Sequence, residues 1–572
     1  MNDVKALYAI WLERATDDAD VLRELKEMEG DEKKITDAFY KDLEFGTGGL
    51  RGVIGAGTNR MNIHTVRKAS QGYASYLVKN FSAPSVAVAY DSRIKSDVFA
   101  RAAAEVFAAN GIKVYIYPEL MPTPSLSFAV RYHKTSGGIV ITASHNPSKY
   151  NGYKVYGSDG CQITNAAADA ILSEIRDTDI FDGIKTLSFE KGLEDGIISW
   201  MGEETVGAFI SAVSDQSLLK TGTFDKSVSI VYTPLYGAGL KCVTRCLAEN
   251  GYTNIHIVEE QAAPNGNFPT CPYPNPEIRE ALTLGLAEAE KVKSDLLIAT
   301  DPDSDRVGIA VKDKDGYKLI TGNEVGLMLM QYISERRREI NTMPEKPVAV
   351  KTIVSADLTK AIAAEYGIEL REVLTGFKYI GEQIGNLEKD GEADRYILGF
   401  EESYGYLTGS YVRDKDAVDG ALMIADMFTY YRSKGLTLID VLDGIYRKYG
   451  YSKNALTSYE FEGKEGFDKM QSIMALVRNC DRTSFAGYDL VSKGDYKAGT
   501  ITYTDGRCEA TNLPKSDVLK FCLSGNASFV VRPSGTEPKL KIYTSVSADD
   551  PSLLDGKTAE LKGELEALFG LN

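Results

Sequence analysis

Short apolar runs alternate with amphipathic segments along most of the chain. In the first third, residues 85–90, 113–117 and 138–142 are apolar runs of strand length. Residues 97–110 have helical spacing, and Gly111 is placed to end that helix. Strands that alternate with helices in this way are typical of parallel sheets covered by helices on both faces.

The same pattern recurs twice further along the chain. The later predicted strands are 227–232, 254–258, 295–300, 348–353 and 396–400, and the predicted helices between them lie around 238–250 and 277–292. Three α/β domains are therefore expected, and three of their strands end in unusual polar loops. Ligands of open α/β sheets bind beyond the carboxyl ends of the strands.

The two ends of the chain differ from this repeat. Residues 1–40 have the spacing of charged amphipathic helices, and the last hundred residues predict strands at 528–532 and 540–545 and a helix at 552–569. We expect a helical extension, three α/β domains and a smaller C-terminal α+β domain, with these bounds: 1–40, 41–210, 211–325, 326–455 and 456–572.

Composition and net charge exclude some classes of function. The chain has 572 residues and a net charge of −16, which disfavours a general nucleic-acid-binding protein with a basic face. Seven scattered cysteines without a CxxC pair indicate reduced thiols rather than a disulfide framework. The start of the chain lacks the apolar core of a signal peptide, and no apolar stretch is long enough to span a membrane, so a cytoplasmic protein is expected.

The sharpest chemical signal is Asp301-Pro302-Asp303-Ser304-Asp305-Arg306, directly after a predicted strand. Three carboxylates this close repel one another unless a hard divalent cation neutralises them. A calcium-binding EF-hand loop would need Gly and Glu where this chain has Arg306 and Lys312. The pattern favours Mg²⁺ over the alternative, a solvated acidic turn.

A second signal is Thr142-Ala143-Ser144-His145-Asn146-Pro147, again after a predicted strand. Serine is a weak nucleophile unless it is activated or carries a phosphoryl group, and this segment is not the GxSxG turn of acyl hydrolases. Taken alone, the string is equally compatible with a plain turn. Lys154, ten residues downstream, could return to the serine as a proton acceptor or phosphate ligand.

Four weaker strings suit phosphate or sugar binding. Arg532 to Lys539 contains cationic side chains, hydroxyl groups and a glycine whose backbone N–H is accessible, and such groups can donate hydrogen bonds to an oxyanion. The other three are Gly399-Phe400-Glu401-Glu402-Ser403, Thr375-Gly376-Phe377-Lys378 and the glycine-rich Phe45 to Gly52. The last of these contains Arg51, and it is better interpreted as a loop that faces an anion than as a nucleotide-binding fingerprint. Asp91-Ser92-Arg93 is a further candidate for a phosphate-facing loop.

Together, TASHNP, DPDSDR, FEES and RPSGTEP in this order resemble the α-D-phosphohexomutase family over roughly residues 40–545, and most closely its longer bacterial phosphoglucomutases. The resemblance implies an α/β fold of three similar domains with mixed, mostly parallel sheets, plus the smaller C-terminal domain, around a central cleft. It also implies a phosphoserine domain, a metal-binding domain, a sugar-binding domain and a phosphate-binding domain, in chain order.

The resemblance assigns roles to individual residues. Catalytic roles are implied for Ser144, Lys154, Arg51 and His145, with Ser144 as phosphoryl carrier and Lys154 as general base. Ser144, Asp301, Asp303 and Asp305 would hold Mg²⁺. The implied substrate-binding residues are Arg306, Lys378, Glu401, Ser403, Arg532, Ser534, Gly535 and Thr536.

The implied reaction interconverts glucose 1-phosphate and glucose 6-phosphate, with glucose 1,6-bisphosphate as intermediate and activator. The partner is a small hexose phosphate, without nucleic acid or membrane, and the protein would be a monomer or weak homo-oligomer. Phosphomannomutase or dual-specificity activity is the main alternative, then phosphopentomutase. Tyr404-Gly405-Tyr406 lacks the histidine that some relatives place after the sugar-loop serine, so any role of that histidine is absent or reassigned here. A metal-dependent phosphatase and a non-catalytic sugar-phosphate-binding protein are rivals from other classes.

Overall fold

The computed structural model describes residues 2–46, 48–461, 463–533 and 539–571. The chain divides into two compact units. The first comprises Met1–Thr321, Ile380–Leu398 and Ser403–Ser433, and the second comprises Gly322–Tyr379, Gly399–Glu402 and Lys434–Asn572. None of the described helices combines the length and apolar composition needed to cross a bilayer.

The helices, in chain order, are α1 (Asn2–Arg14), α2 (Ala19–Glu27), α3 (Glu32–Phe39), α4 (Ile63–Asn80), α5 (Ser96–Ala109), α6 (Thr123–Tyr132), α7 (Asn165–Asp177), α8 (Phe189–Glu194), α9 (Glu203–Ser214), α10 (Gly239–Glu249), α11 (Glu259–Ala262), α12 (Thr283–Val292), α13 (Gly322–Glu339), α14 (Thr359–Tyr366), α15 (Phe377–Lys389), α16 (Ala417–Ser433), α17 (Leu438–Tyr449), α18 (Gly463–Arg478) and α19 (Leu554–Phe569). Short 3₁₀ turns lie at Arg279–Leu282, Ala393–Arg395, Ser524–Asn526 and Pro551–Leu553.

The strands are β1 (Phe45–Gly46), β2 (Gly49–Val53), β3 (Ser85–Tyr90), β4 (Lys113–Ile116), β5 (Gly137–Ile141), β6 (Tyr150–Gly157), β7 (Ile198–Trp200), β8 (Ile230–Thr233), β9 (Ile255–Ile257), β10 (Leu296–Thr300), β11 (Val307–Asp313), β12 (Gly316–Ile320), β13 (Val348–Thr352), β14 (Glu369–Val373), β15 (Tyr396–Glu401), β16 (Gly405–Leu407), β17 (Tyr451–Glu460), β18 (Ser484–Phe485), β19 (Tyr488–Asp495), β20 (Thr500–Tyr503), β21 (Cys508–Ala510), β22 (Leu519–Leu523), β23 (Ser528–Pro533) and β24 (Lys539–Ala548).

The first sheet of unit 1 has the strand order β1-β2-β6-β5-β3-β4-β7. Strands β5, β3, β4 and β7 pair in parallel, whereas β1, β2, β6 and β5 pair antiparallel. Every residue of β5 is buried, as expected for a central strand covered on both faces. The register of β5 and β6 places Lys154 opposite Val140, close to the end of β5 that leads to Ser144.

The second sheet of unit 1 has the order β12-β11-β10-β8-β9. The central strand β10 is parallel to β8 and fully buried, and Asp301 follows it directly. Strand β11 returns antiparallel to β10, with Thr300 opposite Val307. The loop between these two strands therefore spans only 301–306, which confines three aspartates to one tight turn.

The N-terminal helices form a small core of their own in unit 1. Trp11, Leu25 and Phe39 are buried there, and Phe181 packs against them. The Asp18 side chain caps α2 by accepting hydrogen bonds from the backbone N–H groups of Asp20 and Val21. The extension is thus a packed part of the first unit.

In unit 2, β13 and β14 pair in parallel, with Val348 opposite Glu369. The C-terminal sheet has the order β17-β24-β23-β22-β19-β20-β21, with β18 paired to β19, and its pairs are antiparallel. Helices α18 and α19 contribute Met470, Val477, Leu561 and Leu565 to its core. The predicted α+β architecture of the C-terminal part is therefore confirmed.

Predicted and observed elements agree closely where a central strand is involved. The strands predicted at 85–90, 295–300 and 396–400 correspond to β3, β10 and β15 within one residue at each end. The helix predicted at 277–292 begins only at Thr283, after a 3₁₀ turn. Mixed sheets are confirmed, but in the first two sheets antiparallel pairs are as frequent as parallel ones, because β6 and β11 run back along β5 and β10.

The glycine-rich string around Arg51 differs from the prediction. Instead of a loop, it contains the paired strands β1 and β2, and Arg51 lies opposite Gly152 of β6. Gly49 has φ +135°, and a Cβ there would lie 1.8 Å from the Tyr153 carbonyl oxygen. The glycine at position 49 lets β2 pack closely against β6. The sequence motif alone does not distinguish this role from that of a glycine in a binding loop.

Candidate active site

The loop after β5 presents Ser144 in an unusual backbone conformation. Ser144 has φ +52°, in the left-handed region that non-glycine residues rarely adopt. Its backbone N–H donates to Thr142 Oγ1 at 2.8 Å. Its side chain is buried and points toward the loop that follows β10.

That second loop gathers three buried carboxylates. Asp301, Asp303 and Asp305 each offer an oxygen, and these oxygens lie within 4.8 Å of one another. Asp301 Oδ1 accepts the backbone N–H groups of Asp305 and Arg306, which fixes the turn. All three side chains are shielded from solvent.

The serine and the carboxylates are in direct contact. Ser144 Oγ donates to Asp301 Oδ2 at 2.7 Å, across 157 positions of the chain. His145 Nδ1 lies 3.1 Å from the same hydroxyl oxygen. The structure therefore brings together the two strongest signals of the sequence.

Cations surround the carboxylates on their other sides. Lys154 Nζ lies 2.7 Å from Asp303 Oδ2 and 3.1 Å from Asp305 Oδ2. Lys415 Nζ lies 3.2 Å from Asp305 Oδ2. Lys154 was predicted to return to the serine loop. In the structure it contacts the carboxylates of Asp303 and Asp305, which lie next to that loop.

Burial and neighbouring charges shift the pKa values of Asp301 and Asp303 in opposite directions. Burial, with the charges of Asp303 and Asp305, raises the pKa of Asp301 well above its usual value. Burial opposes charge on Asp303 as well, but the Lys154 ammonium outweighs it and holds the pKa of Asp303 below its usual value. The same carboxylates outweigh burial at Lys154 and raise its pKa, so this lysine is a cation that donates.

The donor set fits a hard divalent cation. Among the described residues, Asp303 Oδ1 and Asp305 Oδ1 are buried without a hydrogen-bond partner. Buried polar atoms are rarely left unsatisfied, so two such oxygens beside a third carboxylate fit a site for a cation. Oxygen-only ligands of this kind suit Mg²⁺.

Two further predicted residues lie near these loops. Arg51 is exposed, and its Nη1 lies 3.4 Å from Asn146 Oδ1 of the serine loop. Arg306 follows the third aspartate and forms an ion pair with Glu277. Burial, together with the positive charges of Arg306 and Arg51, lowers the pKa of His145 well below its usual value, so its imidazole is neutral.

The remaining predicted residues are distributed over both units. In unit 2, Lys378 and Arg532 are partly buried, and Glu401 is buried at the end of β15. Beside it, Glu402 Oε2 accepts from Thr352 Oγ1 at 3.1 Å and Ser355 Oγ at 3.4 Å. Ser403 belongs to unit 1 and is partly buried. Ser534, Gly535 and Thr536 lie outside the described residues.

Sequence reasoning missed two residues of the carboxylate cluster. Thr123, at the start of α6, donates from Oγ1 to Asp303 Oδ2 at 2.8 Å and from its backbone N–H to the Asp303 carbonyl oxygen. Lys415 lies in Arg413-Asp414-Lys415-Asp416, whose alternating charges before an apolar helix are a usable signal. Nothing in the local sequence around Thr123 distinguishes it.

Comparisons with known proteins agree with this arrangement. Models of the phosphoglucomutase/phosphomannomutase α/β/α domains I, II and III match residues 42–180, 208–316 and 321–449. A phosphoglucomutase of Staphylococcus saprophyticus is 36% identical over 545 residues, which are 95% of this chain and 97% of that protein.

Solved structures show the same fold. Parafusin, a Paramecium phosphoglucomutase in its open form, matches with a TM-score of 0.66 at 18% identity over 93% of this chain and 96% of that one. A family protein from Burkholderia thailandensis matches with a TM-score of 0.65 at 18% identity, over 92% and 97%. With three matched domains and a relative that is 36% identical along nearly its whole length, the chain belongs to the phosphoglucomutase/phosphomannomutase family.

Proposed function

We propose that this enzyme is an isomerase that interconverts glucose 1-phosphate and glucose 6-phosphate through a phosphoserine at Ser144. The observation that carries the proposal is the 2.7 Å contact of Ser144 Oγ with Asp301 inside a buried cluster of three carboxylates. The phosphoglucomutase name of the Staphylococcus relative supports glucose as the sugar.

The reaction consists of two phosphoryl transfers at one serine. Phospho-Ser144 gives its phosphoryl group to a hydroxyl of the hexose phosphate, which yields glucose 1,6-bisphosphate. The bisphosphate then turns over, and its other phosphoryl group returns to Ser144. Phosphoryl transfer needs positioning and charge stabilisation more than covalent assistance.

The three aspartates would hold Mg²⁺, which would offset negative charge on the transferring phosphoryl oxygens. Arg51 would bind the same group from the edge of the first sheet. Lys154 and Lys415 supply positive charge beside the carboxylates. Paired with these carboxylates, Lys154 has a raised pKa and holds its proton. It would act as the general base only when its carboxylate partners bind another cation.

The predicted substrate contacts complete the proposal. Glu401 and Ser403 would accept and donate hydrogen bonds to sugar hydroxyls, and Arg306 and Lys378 would bind the substrate. Arg532, with the hydroxyl and backbone groups of Ser534, Gly535 and Thr536, would bind the phosphate that does not react. We further expect a cytoplasmic enzyme that is monomeric or weakly self-associating.

The proposal is tested by measuring glucose 6-phosphate formed from glucose 1-phosphate, with catalytic glucose 1,6-bisphosphate and Mg²⁺ present. Ser144→Ala should abolish turnover, and intact-mass analysis should find one phosphoryl group on the wild-type chain and none on the variant. Full activity of Ser144→Ala refutes the phosphoserine. Release of inorganic phosphate faster than isomerisation would instead indicate a phosphatase.

Mannose is the second candidate sugar, because the family model covers both activities by name. Rates with glucose 1-phosphate and mannose 1-phosphate, compared at equal enzyme and bisphosphate concentrations, decide between them. We expect a higher kcat/KM for glucose 1-phosphate, and an equal or higher value for mannose 1-phosphate would identify a dual-specificity enzyme or a phosphomannomutase.

A further inference from the structure

A buried ion pair lies directly behind the loop that carries Ser144. Asp91 and Arg93 follow β3, the neighbour of β5, and neither side chain is accessible to solvent. Arg93 Nε lies 3.4 Å from Asp91 Oδ2. The interpretation of this segment as a phosphate-facing loop is therefore wrong for Arg93, whose guanidinium points into the protein.

The Arg93 guanidinium is surrounded by main-chain oxygens of the serine loop. Its Nη1 donates to the carbonyl oxygens of Pro147 at 3.0 Å and Tyr150 at 2.9 Å. Its Nη2 donates to the carbonyl oxygens of Ser144 and Asn146. One side chain thus binds four carbonyl groups between positions 144 and 150, which ties the whole loop to β3.

Asp91 holds the other end of the same loop. Its Oδ2 accepts from Thr142 Oγ1 at 2.7 Å, and Thr142 Oγ1 in turn accepts the Ser144 backbone N–H at 2.8 Å. Its Oδ1 accepts from Ser96 Oγ at 2.8 Å and from the Arg93 backbone N–H at 2.9 Å. Every oxygen of this carboxylate is therefore committed to fixing the loop or its arginine.

The second α/β domain covers the guanidinium on a further side. The Phe268 ring lies 5.1 Å from the Arg93 guanidinium carbon. A Cβ at Gly266 would lie 2.5 Å from the Ile94 backbone nitrogen, so the two segments are in close backbone contact. The domain that supplies the three aspartates thus also encloses the arginine that holds the serine loop.

We call the contacts of Arg93 and Asp91 with residues 142–150 the clamp. The conformation of Ser144 explains why the loop needs it. A non-glycine residue keeps a positive φ only where the surrounding structure enforces it. Here that conformation aims Oγ at Asp301. The planar fork of an arginine can satisfy several carbonyl groups at fixed angles, whereas a lysine ammonium is a point charge without that geometry.

We infer that Arg93, oriented by Asp91, is a positioning residue for phosphoryl transfer, which holds Ser144 in line with the carboxylate cluster without touching the substrate. This inference rests on the proposed function. The step it serves forms the Ser144 Oγ–phosphorus bond while the bond from phosphorus to the sugar oxygen breaks, and the serine proton passes to that sugar oxygen. A displacement of about 1 Å at such a step can cost roughly a hundredfold in rate.

The first test compares Arg93→Lys with Arg60→Lys. Arg60 also donates to two carbonyl oxygens and pairs with a carboxylate, that of Asp37, but these acceptors belong to Asp37 and Asn59 and not to the serine loop. Arg93→Lys should lower kcat, and the single-turnover rate of Ser144 phosphorylation by glucose 1,6-bisphosphate, about tenfold to a hundredfold, with KM for glucose 1-phosphate changed less than threefold. Arg60→Lys should change neither constant. Wild-type kcat in Arg93→Lys, or a change confined to KM, overturns the inference.

A second pair of variants leaves Arg93 in place. Thr142→Val removes the hydroxyl that links Ser144 to Asp91 while keeping the side-chain shape, and Thr142→Ser restores it. We expect the phosphorylation rate to fall roughly tenfold in Thr142→Val and to return in Thr142→Ser, because a buried N–H loses and regains its acceptor. Equal rates in the two variants contradict the role of this link.

Hydrogen–deuterium exchange separates this inference from the proposed function. Amide exchange in 142–150 should be faster in Arg93→Lys than in the wild type, and unchanged in Arg60→Lys, whether or not the protein isomerises hexose phosphates. Inactive wild-type protein with this exchange pattern would refute the proposed function and keep the clamp. Active wild-type protein with unchanged exchange in Arg93→Lys would keep the function and refute the clamp.

Discussion

At the scale of single residues, charge balance in buried positions decides what the candidate active site can do. Asp301, Asp303 and Asp305 lie within reach of one cation, yet two ammonium groups already approach them. Burial, with the charges of Asp303 and Asp305, raises the pKa of Asp301. At Asp303 burial is outweighed by Lys154 together with side-chain hydrogen bonds, so the pKa is lowered. Neighbouring carboxyl groups of one turn, Asp301 and Asp303, therefore differ in how readily they ionise.

Replacing Asp303 should weaken metal-dependent activity. Asp303→Asn removes a charged oxygen ligand, so the Mg²⁺ concentration for half-maximal activity should rise at least about tenfold. Chelation with EDTA should stop turnover of the wild type, and added Mg²⁺ should restore it. Asp313→Asn, an exposed change at the end of β11, should leave the Mg²⁺ dependence unaltered. An unchanged dependence in Asp303→Asn contradicts the metal site.

Asp419 should make stability depend on pH near neutrality. Burial, with the nearby Asp416 carboxylate, raises the pKa of Asp419 to about 7. The folded chain thus holds this proton more tightly than the unfolded chain, so the side chain stabilises the fold below the unfolded pKa and that contribution is lost as the pH rises through about 7. Asn cannot titrate in this range and can still pair with Thr408, which contacts both carboxylate oxygens.

The measurement is urea unfolding of the wild type and Asp419→Asn at pH 5 and pH 8. Each pKa unit is worth about 1.4 kcal/mol, so the wild type should lose roughly 3 kcal/mol relative to the variant between these pH values. Asp313→Asn serves as the surface control and should follow the wild type. Parallel pH profiles for the wild type and Asp419→Asn would show that Asp419 does not titrate in this range.

At the scale of elements, the carboxylate turn depends on close packing with the segment after β8. A Cβ at Gly237 would lie 2.4 Å from Pro302 Cα, and the Ala238 backbone N–H donates to the Pro302 carbonyl oxygen at 2.8 Å. The loop that holds Asp301 and Asp303 is therefore set by backbone contact with a neighbouring loop, and not by its own sequence alone.

Gly237→Ala should displace that turn. We expect a loss of about 1–3 kcal/mol in stability from overpacking, and a rise in the Mg²⁺ concentration for half-maximal activity. Gly444, inside α17, has open space around its Cβ position, so Gly444→Ala should instead stabilise the protein by about 0.5–1 kcal/mol without affecting Mg²⁺ dependence. Thermal unfolding and Mg²⁺ titrations of both variants test this contrast, which fails if the two alanines behave alike.

At the scale of the whole molecule, apolar packing and a buried lysine together hold the C-terminal sheet against the rest of unit 2. In unit 2, the C-terminal sheet packs Tyr496, Val530 and Tyr543 against Ile353 and Leu374. Beside this apolar contact, Lys520 of β22 donates to the Ile353 carbonyl oxygen at 2.9 Å and lies 3.7 Å from Asp357 and 3.8 Å from Glu372. A buried cation therefore joins the C-terminal sheet to the end of β13.

Lys520→Met should loosen that junction. The expected cost is about 1–3 kcal/mol, with faster amide exchange in both 519–523 and 353–357, because the Ile353 carbonyl loses its donor. Lys360→Met is the matched control: Lys360 pairs with the same two carboxylates, but it is half exposed on α14 and should cost less than about 1 kcal/mol. Equal exchange in the two variants would contradict the role assigned to Lys520.

Much of this arrangement could be predicted from local patterns. The buried strands β5 and β10, and the Ser144 and Asp301 that follow them, were identified from apolar runs that end in polar loops. Such runs are encoded residue by residue, since a fully buried strand must be apolar along its length. The clustering of three aspartates also follows from their spacing, because alternate positions over five residues keep the carboxylates close together.

Contacts between distant segments could not be predicted in this way. Nothing in the local sequence marks the contact of Thr123 with Asp303, and the charged string around Lys415 does not indicate which residue it pairs with. Arg93 was assigned to phosphate although it binds carbonyl oxygens. The glycine-rich segment around Arg51 likewise proved to be strand, because its glycines meet the backbone of β6.

The sequence by itself therefore determined the buried apolar strands such as β5 and β10, where they end and which reactive groups follow them. Only the tertiary structure decided the partners and charge states of those groups: the hydrogen bond of Ser144 to Asp301, the ion pairs of Lys154, and the clamp of Arg93. The physical reason is that strand periodicity is a property of neighbouring residues. Desolvation, ion pairing and backbone strain depend instead on atoms that folding brings together from far apart in the chain.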